Sequence, residues 1–187
     1  MALDSAAATT MCAVTAAQGV FYRQGLPSPF WKTPGWNVDG SSEITYLVYG
    51  GSASIGQYAA QMVKIAAETS GRKVKLIGVA SARQHAFLQN EYGYDLVLDY
   101  RDDSWVKTVT ELGGADYAFD AISEGETWAN VQAALSPRAR PGSVVAFLAP
   151  PADLQVKVAP VYGAAWEALG AEVDFMGASL ECITKAS

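Results

Sequence analysis

Tyr49-Gly50-Gly51-Ser52-Ala53-Ser54-Ile55-Gly56 decides how the chain folds. Before it, Ile44–Tyr49 is a β-branched and aromatic run, the signature of a short buried strand. After it, Ile55, Ala59, Met62, Val63 and Ala66 fall on one face of a helix predicted over 55–67, which Gly71 ends. Strand, glycine turn, helix is one βα unit. The alternation continues with a strand at 74–79, a helix at 83–92 stopped by Gly93, and a strand at 96–99. A helix at 104–112 follows, with Ser104 as N-cap and Gly113 just past its end. Then come a strand at 117–120, a helix at 126–135 followed by Pro137 and Pro141, and a strand at 144–148. The strand runs are almost wholly apolar, as burial on both faces of a parallel sheet requires. The pattern predicts an α/β fold, a doubly wound, mostly parallel sheet with helices on both faces.

On the N-terminal side, 5–22 carries no charge, and Ala7, Met11, Val14 and Phe21 share a helical face. No basic residue precedes this alanine-rich run, so it reads as an amphipathic helix packed on a domain rather than as a signal peptide. The Pro, Gly, Asn and Asp of 25–42 mark a loop. The expected organisation is therefore an N-terminal helix and loop over 1–43 and a dinucleotide-binding domain of Rossmann type over 44–187. In the tail, Val156, Val158 and Val161, then Val173 and Phe175, are expected in edge strands, with a short helix at 164–169.

The chain has 187 residues, 50% of them apolar and 17% charged, which excludes a disordered chain. Its net charge of −6 argues against nucleic acid as a partner. Cys12 and Cys182 have neither disulfide-framework nor zinc-ligand spacing, and His85 is the only histidine, so no metal site is expected. With no targeting or membrane segment visible, the expected location is the cytosol.

The chemistry of the glycine turn is anion binding. Glycine allows a tight turn and close approach of backbone N–H groups to a pyrophosphate, and the helix N-terminus adds a favourable field. Against the G-x-G-x-x-G pattern, Gly51 takes the first place, Ala53 the second and Gly56 the third, with Gly50, Ser52 and Ser54 adding flexibility and hydroxyl donors. Gln57 and Tyr58 after Gly56 exclude a Walker A loop, and none of the nine tyrosines has a lysine four residues on, which excludes a short-chain dehydrogenase pair.

The second strand ends Val79-Ala80-Ser81-Ala82-Arg83-Gln84-His85, without the acid that would bind ribose hydroxyls and repel a 2′-phosphate. Ser81 and Arg83 can donate to that phosphate, which favours NADPH over NADH. Ligands of such sheets sit beyond the carboxyl ends of the strands. That rule adds Tyr100, Ala121, Ile122 and Leu148 to Gly50, Gly51, Ser52, Ala53, Ser54, Ile55, Gly56, Ser81, Ala82, Arg83 and Gln84 as candidate cofactor residues. Asp120 reads as an acceptor for backbone donors rather than as an acid or base, and no residue stands out as catalytic.

Leu26-Pro27, Val48-Tyr49-Gly50-Gly51-Ser52, Ala80-Ser81, Asp99-Tyr100-Arg101 and Phe119-Asp120-Ala121-Ile122 together resemble the medium-chain dehydrogenase/reductases. Within them the resemblance is to zinc-free quinone-oxidoreductase-like proteins, including fungal trans-acting enoyl reductases and ToxD-like proteins. It implies NADPH-dependent hydride transfer to an enone, an enoyl thioester or a quinone, and 50–56, 81–84 and Tyr100 lining the cofactor. It also implies a GroES-like catalytic domain, which no part of these 187 residues resembles. The expected function is thus the cofactor-binding domain of a reductase, with a homodimer or a polyketide-synthase-type protein as partner. The alternative is a non-catalytic NADPH-binding or assembly module.

Overall fold

The computed structural model describes residues 11–38, 43–163 and 172–185. Six strands form one parallel sheet in the order β3-β2-β1-β4-β5-β6: β1 Ile44–Tyr49, β2 Val74–Ala80, β3 Leu96–Asp99, β4 Tyr117–Asp120, β5 Val144–Ala146 and β6 Val161–Tyr162. The chain winds outward from β1 through β2 to β3, returns to β4 on the other side of β1, and winds outward again. β1 and β4 therefore flank the switch point, with Tyr46 opposite Tyr117 and Tyr49 opposite Asp120.

The apolar strands bury both faces. Ile44, Tyr46 and Val48 pack into one core with Ala16, Ala17, Val20 and Phe21 of the N-terminal helix and Ala59, Ala60, Val63 and Ala66 of α2, Ser54–Ser70. Leu47, Ile77 and Ala118 face the other core, with Trp105 and Val109 of α4, Trp105–Glu111, and Val131 of α5, Thr127–Ala133. α3, His85–Tyr92, follows a 3-10 turn at Ala82–Gln84. α2 closes on Gly71 at φ 67°, a left-handed cap that glycine adopts without a Cβ clash.

The N-terminal helix, α1, is described from 11 to 17 and runs into a π-helical turn, Gln18–Arg23. Gln24, just beyond it, is a buried clamp. Its Nε2 donates to Ala118 O and Ser143 O, and its Oε1 accepts from the Tyr46 hydroxyl at 2.6 Å.

Five expectations change. Val173 and Phe175 belong to α6, Val173–Lys185, because Phe175 and Ser179 are buried four residues apart, a helical rather than an alternating spacing. β5 ends at Ala146, so Leu148 is beyond the strand, and Val156 and Val158 are not in strands; only Val161 is. Ser104 stands at the N-cap of α4 without a side-chain cap bond, and its own N–H donates to the Asp102 carboxylate at 2.9 Å. Met11 is 67% exposed, so it does not share the inward face of Val14 and Phe21. Ala7, Asp39 to Ser42, the expected helix at 164–169 and the Cys182 side chain lie outside the described residues.

Candidate functional site

The glycine turn is held from below. Gly50 N and Gly51 N both donate to Val79 O, at 3.0 and 3.1 Å, and Ala53 N donates to Gly50 O at 2.9 Å. Gly50 has φ 78°, and a Cβ there would meet Ile122. Gly56 has a different role: a Cβ there would stand 2.3 Å from Gly50 O, so the helix can lie on the turn only because Gly56 has no side chain. A Cβ at Gly51 would point at the Tyr94 ring and hydroxyl, into the core and away from any ligand path. Ala53 has φ −67° and ψ 149°, extended backbone that needs no glycine, which accounts for the missing middle glycine. The turn's hydrogen bonds use the N–H groups of Gly50, Gly51 and Ala53. Those of Ser54, Ile55 and Gly56 lie in the first turn of α2 and have no acceptor along the helix.

A cleft of about 400 Å³ opens above this turn, lined by Tyr49, Gly50, Ser52, Ala53, Val79, Ala80, Ser81, Arg83, Tyr100 and Ile122. Seven of the expected residues meet here: Gly50, Ser52, Ala53, Ser81, Arg83, Tyr100 and Ile122. The others stand apart. Gly51 and Gly56 are buried beneath the turn, while Ser54, Ile55, Ala82, Gln84 and Ala121 adjoin it without lining the cleft. Leu148 lines a second cleft over β5 and β6. Tyr49, Val79 and Ala80 are lining residues missed as cofactor candidates; as the last residues of β1 and β2 they follow from the same carboxyl-end rule.

Arg83 is exposed and has no ion-pair partner among the described residues. No carboxylate lines the cleft, yet one stands close. Asp99 Oδ2 accepts from Ala82 N, and Oδ1 from Arg101 N, both at 3.0 Å. Reading forward from β2 finds no acid before Glu91, but sheet register sets Asp99 opposite Ala80. Its charge is already engaged by these donors and by Arg101, whose Nη1 is 3.6 Å away and whose guanidinium stacks 4.3 Å from the Tyr100 ring centre. The Arg101 N–H is the chief cause holding the Asp99 carboxyl below its ordinary pKa, with the Ala82 N–H assisting. A lowered folded-state value stabilises above the unfolded value of about 3.9 and is lost as pH falls through the folded one. Asp99→Asn cannot accept both N–H groups on one oxygen-bearing side, and it cannot titrate. It is expected to lower Tm at pH 7 and to flatten the fall of Tm between pH 4 and 2; a fall as steep as wild type would refute this.

Asp120 is an acceptor, as expected. Oδ1 takes Ile122 N at 3.0 Å and Ser123 N at 2.8 Å, and Oδ2 takes the Thr127 hydroxyl at 3.0 Å. The turn it holds contains Ser123 at φ 57°, left-handed for a non-glycine residue. Ser123 Oγ accepts from Phe147 N, and Ser123 O accepts from Trp128 Nε1. Tyr49 is pushed above the usual tyrosine range by burial and then by the Asp120 charge, so it is neutral at neutral pH. His85 Nε2 lies 3.3 Å from Ala80 O rather than in the cleft. Among the described residues, no group of three or more His, Cys, Asp or Glu could hold a metal, and no helix is long and apolar enough to cross a membrane.

A doubly wound sheet with a glycine turn at its switch point is the architecture of dinucleotide-binding α/β domains. In sequence the chain is similar to zinc-type alcohol dehydrogenase-like and trans-enoyl reductase proteins. It is 29% identical over 183 residues to a zinc-type alcohol dehydrogenase-like protein of Schizosaccharomyces pombe, covering 96% of this chain and 49% of that one. It is 30% identical over 130 residues to a trans-enoyl reductase of Trichoderma harzianum, covering 68% and 33%. The chain thus spans about half, or less, of the curated relatives it matches. In fold it is similar to the CurK enoyl reductase, at TM-score 0.72 and 18% identity over 99% of this chain and 51% of that one. It is also similar to CurA from Vibrio vulnificus, determined with NADPH, at TM-score 0.61 and 14% identity over 95% and 52%. No family model matches the chain.

Proposed function

We propose that the chain is the NADPH-binding part of a reductase that delivers hydride to an enoyl, enone or quinone acceptor. One observation carries this reading: a cleft at the carboxyl edge of the sheet gathers the glycine turn, Ser81, Tyr100 and Arg83, which has no ion-pair partner among the described residues, without a described carboxylate in its lining. The residues present fit the cofactor. The first-turn N–H groups of α2 face the pyrophosphate, Gly50 keeps the turn clear of a side chain, and Ser81 and Arg83 donate to the 2′-phosphate. Tyr100, with Arg101 stacked on its ring, is held beside the adenosine half. When bound, the nicotinamide supplies the hydride. The chain's share of the chemistry is placement, which is most of what hydride transfer asks of a protein.

Calorimetric titration with NADPH is expected to give one site. Arg83→Ala is expected to weaken NADPH by roughly 10- to 100-fold, the worth of a charge-assisted hydrogen bond of about 1.5–3 kcal/mol, and to leave NADH nearly unchanged. Equal losses for both cofactors, or no NADPH binding at millimolar concentration, would overturn the reading.

A second reading, a non-catalytic NADPH-binding or assembly module, draws on the cleft lining, which among the described residues holds no carboxylate, histidine or lysine and whose Tyr49 is kept neutral by burial. NADPH oxidation in the presence of an enone separates the two.

A further inference from the structure

A cleft of about 470 Å³ opens at the opposite edge of the sheet from the glycine turn. It is framed by the end of the π-helical turn, the loop at 34–37, Tyr117 at the start of β4 and the 141–143 segment that leads into β5. The dinucleotide lies beyond the carboxyl ends of such strands, so this amino-edge cleft is no part of its site. The described lining contains one charged side chain, Arg23, and no carboxylate. Glu172, outside the lining, holds the Arg23 guanidinium at 2.6 Å. Two hydroxyls supplement that cation. The Tyr117 hydroxyl accepts from Asn37 N at 2.5 Å and has its own proton left to donate, which burial keeps in place by raising the phenol above the usual tyrosine range. Ser143 is 3% exposed, and its hydroxyl has no hydrogen-bond partner. A buried hydroxyl left unpaired is costly, and in a folded chain it points to an acceptor from outside. Flat surfaces complete the walls: Pro34, Pro141, the exposed Tyr22, and Trp36, whose ring stands at 76° to Tyr117 with centres 5.5 Å apart.

We propose that this cleft is a second ligand site, for a small aromatic carboxylate, filled independently of the dinucleotide. The carboxylate accepts from Arg23 and from the Tyr117 and Ser143 hydroxyls, the charge-assisted bonds that a lining without acids offers an anion. The ring lies against the proline and aromatic faces, and the volume takes two fused rings. The inference goes beyond the reductase reading and does not rest on it.

The test titrates the full chain by calorimetry with 2-naphthoate, its neutral amide 2-naphthamide, and octanoate. 2-Naphthoate is expected to fill one site, with 2-naphthamide at least roughly tenfold weaker for want of charge-assisted bonds and octanoate weaker for want of a flat face. In amide NMR spectra the Trp36 indole and Gly142 signals are expected to shift, and those of Gly50 and Ser81 to stay. Ser143→Ala removes a hydroxyl that bonds nothing in the fold, so it is expected to leave Tm unchanged and to weaken 2-naphthoate roughly tenfold. Pro141→Glu, at the exposed rim, is expected to weaken 2-naphthoate, and Pro141→Gln to spare it. No binding of 2-naphthoate, equal binding of its amide or of octanoate, full affinity in Ser143→Ala, or displacement of bound NADPH would each overturn the proposal. If NADPH fails to bind while 2-naphthoate binds as described, the reductase reading falls and this site stands.

Discussion

Gly56→Ala is expected to damage the protein more than any other single methyl added at the cleft. The new carbon would stand 2.3 Å from Gly50 O and 3.1 Å from Gly51 Cα, both backbone atoms of a turn fixed by two bonds to Val79 O. Neither can swing aside as a side chain end would. The strain is relieved only by lifting α2 off β1, which unpacks Ala59, Ala60 and Val63 and moves the first-turn N–H groups. Overpacking typically costs about 1–3 kcal/mol, and a clash between fixed backbones belongs at or above the top of that range. Chemical unfolding should show a loss of about 3 kcal/mol or more, and NADPH affinity should fall at least roughly tenfold. Gly51→Ala is the control. Its Cβ meets the outer atoms of Tyr94 at 3.1 and 3.3 Å, and a ring can tilt, so its effect should be smaller. A Gly56→Ala variant as stable as Gly51→Ala would show that the helix does not depend on this contact.

Asp120→Ala is expected to be nearly as costly, and Asp120→Asn mild. The alanine leaves Ile122 N, Ser123 N and the Thr127 hydroxyl without their acceptor in a buried turn, at about 1–3 kcal/mol for each group left unsatisfied. A loss of about 2–5 kcal/mol in urea unfolding is the expected sum after partial relaxation. Asparagine keeps an oxygen where Oδ1 accepts both N–H groups, and the Thr127 hydroxyl can turn to accept from the new amide. Burial is the main cause raising the Asp120 carboxyl above its ordinary pKa. A raised folded-state value means that its favourable contribution is complete below the unfolded value of about 3.9 and is lost as pH rises through the folded one. Asp120→Asn should therefore gain on wild type between pH 4 and 7. Equal damage from both substitutions would mean that the charge itself is required.

The order of strands and helices was legible because both signals are local: glycine just past α2, α3 and α4, proline after α5, and apolar runs of strand length. β1, β3 and β4 have the expected bounds, since turn residues flank them closely. The tail was not legible, because Val173 and Phe175 alternate like a strand over three residues and only the next turn, at Ser179, reveals the helix. In the site, Ser81, Arg83 and Tyr100 could be found from strand ends alone. Asp99 beside Ala82 could not, because their proximity comes from the register of β2 on β3 rather than from spacing along the chain. Leu148 was placed with the cofactor residues by the same strand-end rule, and the early end of β5 sends it to the neighbouring cleft.

The strand order also has a consequence for synthesis on the ribosome. β1 is the central strand, and Ile44 finds its first partner, Val74, soon after it emerges. On its other side Tyr46 must wait for Tyr117, and the Gln24 clamp waits longer still, for Ser143. Until then the nascent half-sheet carries an open inner edge on a largely apolar strand, the kind of surface that pairs with other chains. Pausing synthesis once β2 has left the ribosome but before β4 has should lengthen that exposure and increase capture by chaperones, whereas a pause after β4 and Ser143 have emerged should not.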